Sequence, residues 1–418
     1  MHSARWSEQR TAARVSAERL DGEKHGLLLG ALREDIQKLM HPKGYLHAGY
    51  PKFDEIFGRD SIIAALQLLR SDPQIARSTL IALAELQGTK VDTITGEEPG
   101  KILHEFSEVE NQDLETLKGT TGWWKSKVPY YFSVDSTPLF ISALGEYYEF
   151  TKDEALLCEL WPNLVAAAKW MLDYGIRDDL LRYDKPANGE GLQSQSWKDG
   201  IGNIMDDVMG PVAVVEVQGY AYHALQAFAR LAAYGNENAI AEQALAVSQN
   251  LKKKFDSEFW SEKDQFYYLA IDGNGRKIMK AASNPGHLLF TGIIDESHAK
   301  AVVKRLMQSD MLTPYGIRTH SSLDEDFDEY AYQRGSIWPH DNWMIAMGMR
   351  AMGFSKEYQI IRAAVIKAYG ELGSTPEYYS ASRDGILIRP AQLKEPPCDP
   401  QAWTVGSIMH FIHDLVRE

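Results

Sequence analysis

Phe57-Gly58-Arg59-Asp60-Ser61-Ile62-Ile63-Ala64-Ala65-Leu66-Gln67-Leu68-Leu69-Arg70-Ser71-Asp72-Pro73 opens on charged residues, continues as an apolar run of helical length and stops at a tight Ser-Asp-Pro join. Proline fits the first turn of a new helix, and the periodic run over 74–87 follows at once. The pair reads as a helical hairpin with its chemistry at the open end. Working outward, apolar periodicity marks about twelve such helices. They are expected at 24–40, 60–71, 74–87, 135–150, 154–174, 214–234, 237–257, 286–293, 296–308, 338–352, 356–371 and 400–416, after a charged helical lead-in at 1–22.

The joins alternate in length. Tight ones fall at Ser71-Asp72-Pro73, Thr151-Lys152-Asp153, Gly235-Asn236, Asp295-Glu296 and Gly353-Phe354. Long ones cover 41–58, 89–134, 175–213, 260–284, 309–337 and 372–399. Helices running up and down around a ring would place every long join at one end, the usual location of a site on a rigid scaffold. Helices such as 237–257 carry more surface charge, whereas 343–352 is poor in charge. This fits an outer ring around an inner one. Asp272-Gly273-Asn274-Gly275 within 264–279 marks a hairpin. The expectation is an all-α chain: one (α/α)6 barrel domain over 1–418, with six helical hairpins, long loops at one rim and a small β-hairpin.

Composition narrows the function. At 418 residues and 44% hydrophobic the chain can bury a large core. A net charge of −14 argues against a nucleic-acid partner. No stretch reaches membrane-spanning length and no signal peptide is recognised, so a cytoplasmic protein without a membrane partner is expected. Cys158 and Cys398 are the only cysteines, which excludes a disulfide framework or cysteine-rich metal site. The acidic run Asp324-Glu325-Asp326-Phe327-Asp328-Glu329 lacks EF-hand spacing and reads as a solvated loop. No metal or cofactor is called for, and the subunit number is left open. The 10 Trp and 20 Tyr are the departure from the ordinary. Several, including Trp123, Trp124, Tyr130, Tyr131, Trp197, Tyr330, Tyr332, Trp338, Tyr378 and Tyr379, fall in the long joins among carboxylates. Sugar C–H faces pack on such rings and sugar hydroxyls bond to such polar groups, although rings also simply fill cores.

Two acids stand out. Asp199, in Gln195-Ser196-Trp197-Lys198-Asp199-Gly200, lies between a cation and a flexible glycine and beside an aromatic ring that can raise a carboxyl pKa. A turn-capping aspartate is the plainer alternative. Glu377, in Ser374-Thr375-Pro376-Glu377-Tyr378-Tyr379, lies in another rim loop. It is either a solvated loop acid or the partner that glycoside hydrolysis requires across the scissile bond. Arg59-Asp60, Trp338-Pro339-His340-Asp341 and Gln401-Ala402-Trp403 begin inner helices and would converge on the axis. Asp60 there is either a helix cap or a site residue.

Together these motifs resemble the glucosidase domain of glycogen debranching enzymes, the amylo-α-1,6-glucosidase group of six-hairpin glycosidases. The matching segments are Phe57-Gly58-Arg59-Asp60-Ser61, Gly100-Lys101-Ile102-Leu103-His104-Glu105, Tyr131 to Phe140, Gln195 to Asp199, Arg334 to Asn342, Thr375-Pro376-Glu377 and Cys398 to Trp403. The resemblance implies an inverting α-glycoside hydrolase, with Asp199 as general acid and Glu377 as general base, roughly 6.5–9.5 Å apart. It implies a sugar pocket lined by Arg59, Asp60, Glu105, Trp124, Tyr131, Asp135, Trp197, Lys198, Trp338, His340, Asp341, Gln401 and Trp403. Two departures bear on the substrate. Too little chain precedes the pattern for the extra domain of debranching enzymes, which favours a small α-linked glycoside or oligosaccharide over a polymer. Thr375 replaces the usual leucine and is expected to reshape the pocket. Two rivals remain: a sugar 2-epimerase using His104, His320 and His340, and a non-catalytic carbohydrate-binding protein.

Overall fold

The computed structural model describes residues 22–106, 129–186, 191–200, 205, 208–232, 235 and 237–417. Among them lie twelve α-helices: α1 (Gly22–Leu39), α2 (Gly58–Leu68), α3 (Pro73–Glu85), α4 (Ser136–Thr151), α5 (Glu154–Trp170), α6 (Val215–Leu231), α7 (Asn238–Phe259), α8 (Leu288–Thr291), α9 (Glu296–Leu306), α10 (Pro339–Ala351), α11 (Ser355–Leu372) and α12 (Ala402–Arg417). All twelve expected helices are present. Two differ in form. α5 passes into a π-turn at Met171–Gly175. α8 is one turn long, extended on its N-terminal side by a 3₁₀ turn at Asn284–His287, where Pro285 withholds a backbone donor. The lead-in at 1–21 lies outside the described residues.

The even-numbered helices form a closed cycle of contacts: α2 with α4, α4 with α6, α6 with α8, α8 with α10, α10 with α12, and α12 with α2. The odd-numbered ones lie outside it. α3 packs on α2 and α4, α5 on α4, α7 on α6, α11 on α10 and α12, and α1 on α12. Among the described residues, side-chain caps are confined to outer helices, although outer helices α7 and α11 also lack one. Outer helices α3, α5 and α9 are capped by Asp72, Asp153 and Asp295, each accepting a backbone N–H two or three residues ahead. Inner helices α2, α4, α6 and α10 have no side-chain cap. The polar side chains of their first turns are therefore available for other work.

A second cycle runs through the long joins. Ile56–Phe57 pairs with Glu105–Phe106. Val134 N donates to Gln195 O at 2.9 Å. Ala213–Val214 pairs with Ala270–Ile271. Ala282 bridges His320, and Ile337 bridges Tyr379. Gly49 bridges Gln401, which returns to the first join. Each long join is thus hydrogen-bonded to the next, and all six gather in one collar as the alternation of loop lengths predicts. The Asp272–Gly275 turn joins Ala270–Ile271 to Lys277–Ile278, as expected, with Gly275 at φ 76°. One buried apolar cluster runs from Leu32 to Ile412 beneath the collar. No helix among the described residues is long and apolar enough to cross a membrane.

Close helix approach in the inner ring yields a prediction. A Cβ on Gly348 of α10 would lie 2.6 Å from both Leu289 Cβ and Phe290 N of α8. Gly348→Ala is expected to destabilise the fold by about 1–3 kcal/mol through overpacking. On outer helix α11, nothing lies within 4 Å of a Cβ on Gly370. Gly370→Ala is expected to be neutral or to stabilise by about 0.4–1 kcal/mol. Thermal melts of both variants check the contrast; equal losses would contradict it.

Candidate active site

Arg59, in the first turn of α2, is 4% exposed and reaches acids from three parts of the chain. Its Nη1 donates to both oxygens of Asp135, at 3.1 and 2.9 Å, and its Nη2 donates to Asp199 Oδ2 at 2.7 Å. Its Nε lies 3.8 Å from Asp60 Oδ2. Ser133 Oγ adds a bond to Asp135 at 2.7 Å. Burial pulls the guanidinium pKa down, but Asp135, Asp199 and Asp60 outweigh it and hold the group above its ordinary value. One cation among three acids leaves surplus negative charge, which burial makes costly. Asp60 absorbs part of it: burial, only partly offset by Arg59, raises its carboxyl to about 8, so it is largely protonated at neutral pH. Burial raises Asp199 too, with Arg59 opposing. The Asp199 side chain is 18% exposed, the most open of the four.

Glu377 closes the other side. Its Oε1 accepts from the Tyr332 phenol and its Oε2 from Cys398 N at 3.4 Å. Burial raises its carboxyl to about 7, against the pull of the Tyr332 hydrogen bond. The charge of Asp199 adds to the rise, so the two acids feel each other. Tyr332 reaches both loops: a Cβ on Gly200, next to Asp199, would lie 2.6 Å from Tyr332 Cδ1. Gln333 clamps the same turn, donating to Trp197 O and accepting from Gly200 N, both at 2.9 Å.

Aromatic rings make the floor. Trp338 stacks on Tyr378 at 5.2 Å, and the Tyr332 ring stands edge-on to both, at 4.9 and 5.0 Å. His340 stacks on Trp403 at 3.7 Å and meets the face of Trp197 at 5.0 Å. Burial holds the His340 imidazole well below its ordinary pKa. Beneath Trp197, Tyr220 Oη and Asp341 Oδ1 bracket His287, at 2.5 and 2.7 Å. Two buried acids with raised carboxyls beside aromatic rings are the groups that glycoside hydrolysis uses.

A family model for the mannosylglycerate hydrolase MGH1-like glycoside hydrolase domain matches residues 56–387. The chain belongs to this family. It carries a glycoside hydrolase domain, as the resemblance read from its motifs implied. A curated relative, mannosylglycerate hydrolase MGH1 of Selaginella moellendorffii, is 31% identical over 81 residues. That match takes in 19% of this chain and only 17% of the relative. Among solved structures, the mannosylglycerate hydrolase of Thermus thermophilus in complex with Tris superposes with a TM-score of 0.71 at 15% identity, covering 92% of this chain and 99% of the other. The same enzyme with Tris and D-glycerate gives a TM-score of 0.69 at 16% identity, covering 93% and 100%. These two share the fold.

Arg59, Asp60, Asp135, Asp199, Glu377, Trp197, Trp338, His340, Asp341, Gln401 and Trp403 belong to one network of hydrogen bonds, ion pairs, charge effects and ring contacts. Glu105 lies on the strand paired with Ile56–Phe57, immediately before α2. Trp124 lies outside the described residues. Asp60 does not cap α2; it accepts from Gln401 Nε2 at 3.3 Å. The Tyr131 hydroxyl donates to Leu86 O at 2.7 Å, and the Lys198 ammonium to Thr319 O at 2.6 Å. Thr375 Oγ1 donates to Asp35 of α1 at 2.8 Å, so it ties the loop carrying Glu377 to an outer helix. The acidic run braces loops as well: Asp326 pairs with Lys280 at 2.5 Å, Asp328 with Lys394, and Glu329 accepts from Arg383 N at 3.0 Å. Sequence reasoning missed Gln333, His287 and Glu216. Glu216 is wholly buried in the first turn of α6, where burial raises its carboxyl. Its placement as a lone acid among valines at an inner-helix start was the available signal.

Arg59→Met leaves buried carboxylates without their cation. Breaking such a pair costs about 3–5 kcal/mol. A thermal melt is expected to drop accordingly, with turnover reduced at least ~100-fold through misplacement of Asp199. An unchanged melt would show that the cluster does not carry the fold.

Proposed function

We propose that the chain is an inverting α-glycoside hydrolase, with Asp199 as the general acid and Glu377 as the general base. Arg59 takes one oxygen of Asp199, and the second carries the proton to the leaving oxygen. Glu377, aligned by Tyr332 and Cys398 N, takes a proton from the attacking water. A pKa near 7 suits a base at neutral pH. The observation that carries this reading is the pair of buried, raised acids, Asp199 and Glu377, which act on one another by charge and both neighbour Tyr332. The two closed cycles of helices and loops support an (α/α)6 barrel formed as one domain. The substrate is a small α-glycoside. Relatives named for mannosylglycerate favour a sugar joined to a hydroxy acid, with the glucosides of the motif resemblance as the comparison set. Histidine-based epimerase chemistry has less support, since burial holds His320 near 3 and His340 well below its ordinary value.

Proton NMR of the first-formed anomer, over mannosylglycerate and a panel of α-glucosides, tests the mechanism. Initial release of the β-anomer is expected; release of the α-anomer would overturn the water-activating role of Glu377. A second test uses Tyr332→Phe. The phenol stabilises the ionised carboxylate, so removing it lets Glu377 hold its proton more tightly. The acidic limb of the kcat/KM profile, near pH 7 in the parent, is expected to move to higher pH. A shift to lower pH, or none, contradicts the assignment.

A further inference from the structure

A second cleft, of about 300 Å³, opens in the collar between the joins at 89–134 and 175–213. Ser133 and Gln195 form part of its wall, so it backs onto the loops that carry Asp135 and Asp199. Lys101, Arg177 and Arg182 all line it. Arg177 acts on both of the others with a like charge.

The acids in the lining are largely engaged. Glu98 takes Lys101 at 3.2 Å and Trp170 Nε1 at 2.7 Å. Asp184 takes Arg177 Nη1 at 2.8 Å. Glu97 accepts from the backbone of Thr89 at 2.8 Å and Lys90 at 3.3 Å. Asp92 accepts from Ile94 N at 3.0 Å and faces Lys90 at 3.6 Å. Arg182 has only a long 3.4 Å contact to Pro211 O, with no carboxylate at ion-pair distance among the described residues. Asp178 and Glu258 act on it from farther off. The Nε atoms of Arg182 and Arg177 are buried without a hydrogen-bond partner among the described residues. The spare capacity of this cleft is therefore in donors.

The backbone holds that arrangement under strain. Arg177 and Arg182 flank a two-residue hairpin whose tip, Asp178-Asp179, is left-handed at both positions, with φ 51° and 60°. Such a turn ordinarily takes Asn-Gly or Asp-Gly. Strain of this kind gathers where the surrounding structure uses the geometry. Phe132, Trp170 and Tyr174 supply ring surface in the same cleft, whose volume suits one sugar ring.

We propose that this cleft is a second binding site, for a small hydroxylated carboxylate of the sugar-acid class, gripped by Arg182 and Arg177. The assignment does not depend on which glycoside the catalytic pocket cleaves.

The test is isothermal titration of the full chain with D-glucuronate, using D-glucuronamide as the uncharged control. The parent is expected to bind D-glucuronate saturably and to discriminate against the amide. Arg182→Met is expected to bind at least tenfold more weakly with its melting temperature and glycoside turnover unchanged. Asp60→Asn, in the catalytic pocket, is expected to bind as the parent does. Should Arg182→Met fail to fold, Arg177→Met carries the comparison. No saturable binding, equal binding of the amide, undiminished binding by the folded arginine variants, or loss in Asp60→Asn would each overturn the proposal.

Discussion

The Arg59 guanidinium is the interaction on which the site depends. It bonds Asp135 across 76 positions of sequence and Asp199 across 140. A buried carboxylate is costly unless paired, and a buried guanidinium equally so. Bringing α2, the start of α4 and the 194–200 loop together satisfies both kinds of group at once. The residual negative charge is relieved by a proton on Asp60. The same cation that orders these loops thus biases the ionisation of the acids around it.

The collar makes that cluster possible. Three of the short outer joins are finished locally, by aspartate caps. Inner helices begin without side-chain caps, and their first-turn residues turn to partners on neighbouring helices: Arg59 to Asp135, Gln401 to Asp60, His287 to Asp341. Loop-to-loop backbone pairing then holds each helix start against the next. The rings of Trp197, Trp338, Tyr378 and Trp403 fill the space below, exclude water and keep the dielectric low. Under those conditions a hydrogen bond such as that from Tyr332 to Glu377 has a large effect on protonation.

Much of the fold was legible in the sequence because its signals are local. Apolar periodicity in α2, α4 and α12, the Asp-Pro join before α3 and the Asp-Gly-Asn-Gly turn each depend on residues a few positions apart. Asp60 and Thr375 were harder to read, since an aspartate at a helix start and a threonine in a rim loop have several local uses. Tyr131 and Lys198 carry suitable chemistry in suitable motifs, but their polar tips turn to Leu86 O and Thr319 O. Side-chain direction at a loop residue depends on which distant carbonyl happens to be close.

By itself the sequence determined a mostly helical chain of alternating long and short joins, a concentration of acids and rings in the long joins, and Asp199 and Glu377 as candidate acids. Tertiary structure alone decided which charges share Arg59, that Tyr332 and Gln333 hold the two acid loops, that Glu216 lies buried beside them, and that Arg177 and Arg182 face a separate cleft. The physical reason is range. Periodicity and capping are written within a few residues, whereas desolvation and charge pairing depend on neighbours that only the closed collar brings within hydrogen-bond distance.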